Sequence, residues 1–365
     1  MRKEFADAFY ADGFVDDEYA RTVRKMESGS IADAMNLLDA YVKDHPYEFR
    51  AYTRKAKILQ DIEGQEEAVQ YLDSVWNPKK ASWELMLVMA IQYSKINEAD
   101  IARKLLKRAE RAGADRADLG YASGIVLHTL TTYGHSGLID KAAKDILEAV
   151  KLGKKRVAIE SAAANILLSK YHHSNTKNFK ILVQVIRHGE NSIMLGDDDY
   201  LTYYNIGRAL YYMKNPVGAL PNIKKAIEKN PDFVDARAML GCVMIDMDDM
   251  PKNHYKTAIK IIDEALREDP TIIFSMHSKI NAYDILGDMK GVKKSLIELT
   301  NIETHDVNPW GMLSCIYLAE GDRKSAERCI IMAREMNPRI PPTNTVFDYM
   351  YRFDLDWGRV YLTDM

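Results

Sequence analysis

Apolar residues along the chain recur at helical spacing, three or four positions apart, and small residues return at a longer fixed step. Ala34, Ala68 and Ala102 lie thirty-four residues apart, and Gly207 and Gly241 keep the same interval far downstream. A period of that length accommodates two helices and their turns. One such unit is too small to bury its own apolar face, so neighbours must stack into a solenoid. The pattern therefore predicts an extended binding surface instead of a catalytic cleft.

The clearest unit runs from Tyr200 to Phe233. Tyr203 is fourth in it, Ile206 and Gly207 seventh and eighth, Ala219 twentieth, Ala226 twenty-seventh and Pro231 thirty-second. These residues resemble the tetratricopeptide (TPR) pattern. Small side chains at the eighth, twentieth and twenty-seventh positions let helix A and helix B approach closely. The proline ends helix B, because the residue before it is pushed out of the helical region. The frame extends both ways to repeats near 15–48, 49–82, 83–116, 117–157, 158–199, 200–233, 234–272, 273–306 and 307–340. The resemblance implies an all-α, right-handed TPR superhelix of about nine helix-turn-helix repeats over 15–339.

Three stretches break the step, Thr131 to Gly137, Tyr171 to Asn178 and Asp246 to His254. All fall between helix A and helix B of a repeat and read as longer loops. The unit near Ala158 is the least regular, since its second helix has no alanine at the expected places. Residues 1–14 carry Phe5, Phe9, Tyr10 and Phe14 and read as an amino-terminal cap. Residues 341–365 carry Val346, Phe347, Met350, Phe353 and Trp357 at helical spacing and read as a capping helix and tail. That aromatic tail also suits a homodimer or partner contact.

Composition narrows the function. Hydrophobic residues make up 47% and charged ones 28%, ordinary for a soluble protein, while the net charge of −3 argues against nucleic acid as partner. Leu119 to Ile139 has no Asp, Glu, Lys or Arg, yet its glycines, threonines and histidines are too polar for a membrane span. Three cysteines, Cys242, Cys315 and Cys329, show no metal-ligand spacing and suggest free thiols in a reducing compartment. The amino terminus has no apolar run long enough for a signal peptide, so the expected location is cytoplasmic.

In TPR proteins helix A lines the concave face, which directs attention to its second, fifth, sixth, ninth, twelfth and thirteenth positions. In the repeat from Tyr200 these are Leu201, Tyr204, Asn205, Arg208, Tyr211 and Tyr212. Neighbouring repeats add Tyr121 and His128 on one side, and Met239, Cys242, His277 and Asn281 on the other. Aromatic rings around an arginine and amides suit an extended peptide, with Arg208 available to a carboxylate. The resemblance does not extend to the TPR clamp for acidic chaperone tails, because no three successive repeats carry its lysine, asparagine and basic positions. Nor does an asparagine ladder form, since only Asn205 occupies a sixth position.

Basic residues cluster on two second helices, Arg103 to Arg111 and Lys141 to Arg156, where solvated charge is the ordinary reading. His135, His172 and His173 fall in A–B loops of consecutive repeats but form no identifiable ligand set, and Asp246, Asp248 and Asp249 lack the glycine and glutamate of a calcium loop. No phosphate-binding loop, dinucleotide fingerprint or GxSxG occurs. His188 and Glu190 have no placed nucleophile beside them. The chain thus reads as a non-catalytic, cofactor-free scaffold for a peptide or protein partner. A regulator controlled by a small signalling peptide, and an accessory subunit that positions an enzyme or secretion complex, are the alternatives.

Overall fold

The computed structural model describes residues 29–45, 49–77, 82–152, 156–174, 178–302 and 306–336. The expected caps at 1–14 and 341–365 lie outside these residues. Among the described residues the chain is all-α, with seventeen α-helices and no strand. They are α1 (Ile31–Asp44), α2 (Phe49–Ile62), α3 (Gln65–Val75), α4 (Trp83–Lys95), α5 (Ala99–Arg111), α6 (Arg116–Thr132), α7 (Ile139–Leu152), α8 (Val157–His173), α9 (Phe179–Met194), α10 (Tyr200–Tyr212), α11 (Pro216–Lys229), α12 (Val234–Ile245), α13 (Lys252–Glu268), α14 (Ile273–Ile285), α15 (Met289–Thr300), α16 (Asn308–Ala319) and α17 (Arg323–Met336). They fall into two compact units, Met1–Lys229 and Asn230–Met365. In the first, α1 packs on α2, and the pairs α2/α3, α4/α5, α6/α7, α8/α9 and α10/α11 follow. The second holds α12/α13, α14/α15 and α16/α17.

In the pairs α6/α7, α10/α11 and α12/α13 a small residue on one helix lies under a large one on its partner. A methyl group on Gly207 would sit 2.5 Å from Ile223 Cδ1, and one on Gly124 only 3.1 Å from Ile146 Cβ. On Gly241 it would sit 2.5 Å from Ile262 Cγ1 and 3.0 Å from the Ala258 carbonyl oxygen. Ile146, Ile223 and Ile262 are completely buried, as are Ala142, Ala219 and Ala258 one turn before them. Each such isoleucine contributes about 1.5–3 kcal/mol relative to exposure. Gly120 lies against Ala149 while Gly124 lies against Ile146, so α6 and α7 run antiparallel.

The irregular helix α9 keeps the same scheme with different residues. Leu182 and Gly189 stand seven apart where other second helices carry alanines such as Ala219 and Ala226. Gly189 faces the next helix pair, and a methyl there would come within 2.6 Å of Ile206 Cγ1 on α10.

Local signals set the helix ends. Ser82, Asp115 and Asp199 cap α4, α6 and α10 by accepting from the backbone N–H of Leu85, Ala117 and Leu201 at 3.3, 2.9 and 2.8 Å. Four A–B turns share one motif, with a left-handed residue two positions past the helix: Asn97, Lys214, Gly287 and Gly321. The following N–H then bonds back to a carbonyl in the helix, Glu98 to Tyr93 at 2.9 Å, Asn215 to Leu210 at 3.0 Å and Asp322 to Tyr317 at 2.8 Å.

The breaks in the repeat step are only partly loops. Helices α6 and α8 run seventeen residues where α4 and α10 run thirteen, so one extra turn absorbs much of each insertion. Burial explains why the turn forms: Leu130 and Thr131 on α6 and Tyr171 on α8 are at most 5% exposed. In the third break α13 also runs seventeen residues, and His254 Nε2 lies 2.9 Å from the Met244 carbonyl oxygen. Leu119 to Ile139 spans part of α6 and a turn; no helix among the described residues is long and apolar enough to cross a membrane.

Replacing Gly241 by leucine should destabilise the second unit by about 1–3 kcal/mol, because neither the Ile262 stem nor the Ala258 carbonyl can swing aside. Urea unfolding measures this, and an unchanged midpoint would refute the close contact.

Candidate functional site

In the first unit the A helices α2, α4, α6, α8 and α10 adjoin one another in order, and their side chains meet along a seam. Its richest part joins α8 to α10. The Arg208 guanidinium lies over the rings of Tyr204 and Tyr212, at 5.2 and 5.8 Å from their centroids. One terminal nitrogen is 3.0 Å from His172 Nε2 and 3.4 Å from the Tyr212 hydroxyl. Arginine only donates, so His172 accepts on Nε2 and is neutral in this arrangement. The imidazole stands edge-on to Tyr212 at 4.9 Å, and Tyr171 and Tyr211 close the group at 5.8 and 5.7 Å from the same ring.

Of the residues singled out in the sequence, Tyr204, Arg208, Tyr211 and Tyr212 come together here. Tyr204 and Asn205 are buried beneath the surface, at 4% and 5% exposure, whereas Leu201 is 42% exposed. Tyr121 packs against the apolar cores on either side of it, and burial pushes its phenol up to about 12, with Arg156 opposing and Asp118 adding to the shift. His128 Nε2 lies 2.7 Å from the Ser169 hydroxyl. In the second unit Met239 and Cys242 are interior, and His277 and Asn281 are exposed on α14. Buried Tyr204, Asn205, Met239 and Cys242 can shape a surface but do not present one.

Tyr171, Ser169 and, in this role, His172 were missed. Their signal was the extra turn of α8, which carries Tyr171 to His173 beyond the usual repeat length into reach of α10. His172 and His173 are helical, not looped, and His173 Nδ1 lies 2.9 Å from the Ser169 carbonyl oxygen. Among the described residues no three His, Cys, Asp or Glu side chains gather as a metal site.

His188 is paired with Glu160, not with the exposed Glu190: Nδ1 to Oε2 is 2.6 Å, with both side chains buried. Burial works to raise the Glu160 carboxyl. The His188 hydrogen bond and charge, helped by Asn191 and Arg187, outweigh it and hold the group below its ordinary range. Beside this pair, Ser192 and Thr202 donate to Asp197 Oδ2 at 2.6 and 2.7 Å, tying α9 to α10.

No protein-family model matches the chain, and no curated protein matches it in sequence. Many solved structures do match its fold. The APC/C hetero-tetramer Cut9–Hcn1 superposes with a TM-score of 0.59 at 13% identity, covering 88% of this chain and 58% of that one. A human IFIT1 dimer with PPP-AAAA gives 0.49 at 15% identity, over 84% and 69%. YrrB, a TPR protein with an unusual peptide-binding site, gives 0.34 at 19%, over 55% and 95%. The chain thus spans less than two thirds of the length of the Cut9–Hcn1 chain. Its fold is all-α and similar to that of tetratricopeptide helical-repeat structures.

Half-buried His128 and buried Glu160 set an acid dependence. Burial first, and then the nearby His173, lowers His128 from 6.5 to about 4. A base with a depressed folded value contributes stability above its unfolded value, and loses it as pH falls from about 6.5 towards 4. Glu160, also depressed, contributes above its ordinary value and loses that as pH falls through the lower folded one. Thermal melts across pH should show His128→Gln flattening the first segment and Glu160→Gln the more acidic one. Parallel curves for all three proteins would contradict both assignments.

Proposed function

We propose that the chain is a non-catalytic interaction scaffold that holds an extended peptide or protein segment along the A helices of its first unit, centred on Arg208. The observation that carries this reading is the posture of that side chain. A guanidinium set against two phenol rings and donating to an imidazole is ordered before a ligand arrives, so less side-chain entropy is lost on binding. Leu201, Tyr211 and Tyr212 supply apolar contact around it, and Arg208 takes a carboxylate. Tyr204 and Asn205 act from beneath, and His128 and Tyr121 continue the seam towards α6. His277 and Asn281 give the second unit a polar contact surface of its own, over a floor that includes Met239 and Cys242.

The Cut9–Hcn1 assembly, similar in fold, is a hetero-tetramer, which is in keeping with a partner-binding role. The cysteines support a reducing compartment such as the cytoplasm. All three are free, and burial raises Cys242 to about 12 and Cys315 and Cys329 to about 11, so none is an activated thiol.

Selection of random peptides on the full chain tests the proposal, because the groove itself then chooses its ligand. Peptides so selected should carry a carboxylate and should lose about 2 kcal/mol, roughly thirtyfold in Kd, on Arg208→Glu. Equal binding to both proteins would remove Arg208 from the site.

A further inference from the structure

The seam has a second charged region, between α2 and α4, that is independent of the Arg208 cluster. Arg54 on α2 is 5% exposed, yet among the described residues its Nε meets no hydrogen-bond acceptor and its guanidinium no carboxylate. One turn further on the same helix stands Lys57, close enough for side chains three apart to be neighbours. Lys95 on α4 is the third cation. Its ammonium donates to the Gln60 amide oxygen at 2.8 Å, and no described carboxylate bonds to it. Burial, and then the charge of Lys57, lowers it to about 8, with Asp61 only partly opposing. Asp61 itself sits 3.5 Å from Lys57 in a half-exposed pair of the kind that contributes little.

Among the described residues this stretch of the seam thus carries Arg54, Lys57 and Lys95 with Asp61 as the acid that pairs with one of them, and Arg54 and Lys95 are largely withdrawn from water. Elsewhere the chain balances such a charge: Lys279, 6% exposed on α14, holds Asp263 at 2.7 Å and Glu298 at 3.2 Å. Buried charge without a counter-charge is costly, and the deficit here is one that an incoming anion removes. Gln92, on the same helix as Lys95, adds a buried amide oxygen that has no hydrogen-bond partner among the described residues. These cations hold the sixth and ninth positions of one repeat and the thirteenth of the next, a set unlike the chaperone-tail clamp.

We propose that the seam between α2 and α4 is an oxyanion site, in which Arg54, Lys57 and Lys95 take a carboxylate or phosphate group. Arg54 supplies planar paired donors and the two lysines supply point charges around them.

Trace labelling of lysines in the full chain at about pH 8, read by mass spectrometry, tests this, with chloride, inorganic phosphate and tetraglutamate compared at matched ionic strength. Bound oxyanion should slow modification of Lys95 about tenfold, the fall expected when a half-deprotonated amine becomes almost wholly protonated. Lys279 should not respond. Protection by phosphate identifies a small free anion as sufficient, and protection by tetraglutamate alone identifies a carboxylate carried by a peptide. Either result should vanish in Arg54→Gln and persist in Arg208→Glu, which separates this site from the Arg208 groove. Lys57→Gln, a half-exposed change, serves where Arg54→Gln fails to fold, and it should weaken protection. Equal labelling of Lys95 in all three solutions, or full protection retained in a folded Arg54→Gln or in Lys57→Gln, overturns the proposal.

Discussion

Everything in this fold depends on how closely two helices of a pair can approach. A side chain at Gly207 or Gly241 would occupy space already filled by Ile223 or Ile262, so the absence of a Cβ sets the distance and the register together. Once those are set, the outward residues of successive A helices have fixed neighbours. His128 meets Ser169, His172 meets Arg208, and Gln60 meets Lys95, all between helices about one repeat apart. The surface chemistry is thus a consequence of the packing, although no surface residue takes part in it.

Polar groups inside the stack are paired in ways that serve the same register. Glu160 with His188 crosses from α8 to α9, Asp197 gathers hydroxyls from α9 and α10, and Lys279 draws α13 and α15 onto α14. A slip of one residue would strand these groups without partners, which costs more than a lost apolar contact. Such pairs act against alternative stackings that apolar matching alone would tolerate. Against this background Arg54, whose Nε meets no acceptor among the described residues, is an exception, as is Lys95, which meets an amide but no described carboxylate, and functional sites are where local rules are most often broken.

Much of the fold was legible in the sequence because small residues at fixed spacing carry a steric message that does not depend on distant parts of the chain. The all-α class and the helix pairing follow from Ala102, Ala219, Gly207 and their like. The extra turns of α6 and α8 were not legible, because Thr131 and Tyr171 look like loop residues until neighbouring helices bury them. The candidate site was readable only in outline. Repeat position named Arg208 and its tyrosines, but position alone did not distinguish buried Tyr204 from half-exposed Tyr212. Nor did it identify His172, whose role depends on that added turn. Arg54 gave no sign at all, since a buried arginine whose Nε lacks an acceptor among the described residues is recognised only when its surroundings are known.

A double-mutant cycle in urea tests the central claim, that glycine and isoleucine at the helix crossing form one steric unit. Gly207→Leu and Ile223→Ala should each destabilise the chain, and the pair together should recover about 1–3 kcal/mol relative to the sum of the two, as interacting neighbours do. Strict additivity would mean that the two residues do not share one space, and the register argument built on them would fail.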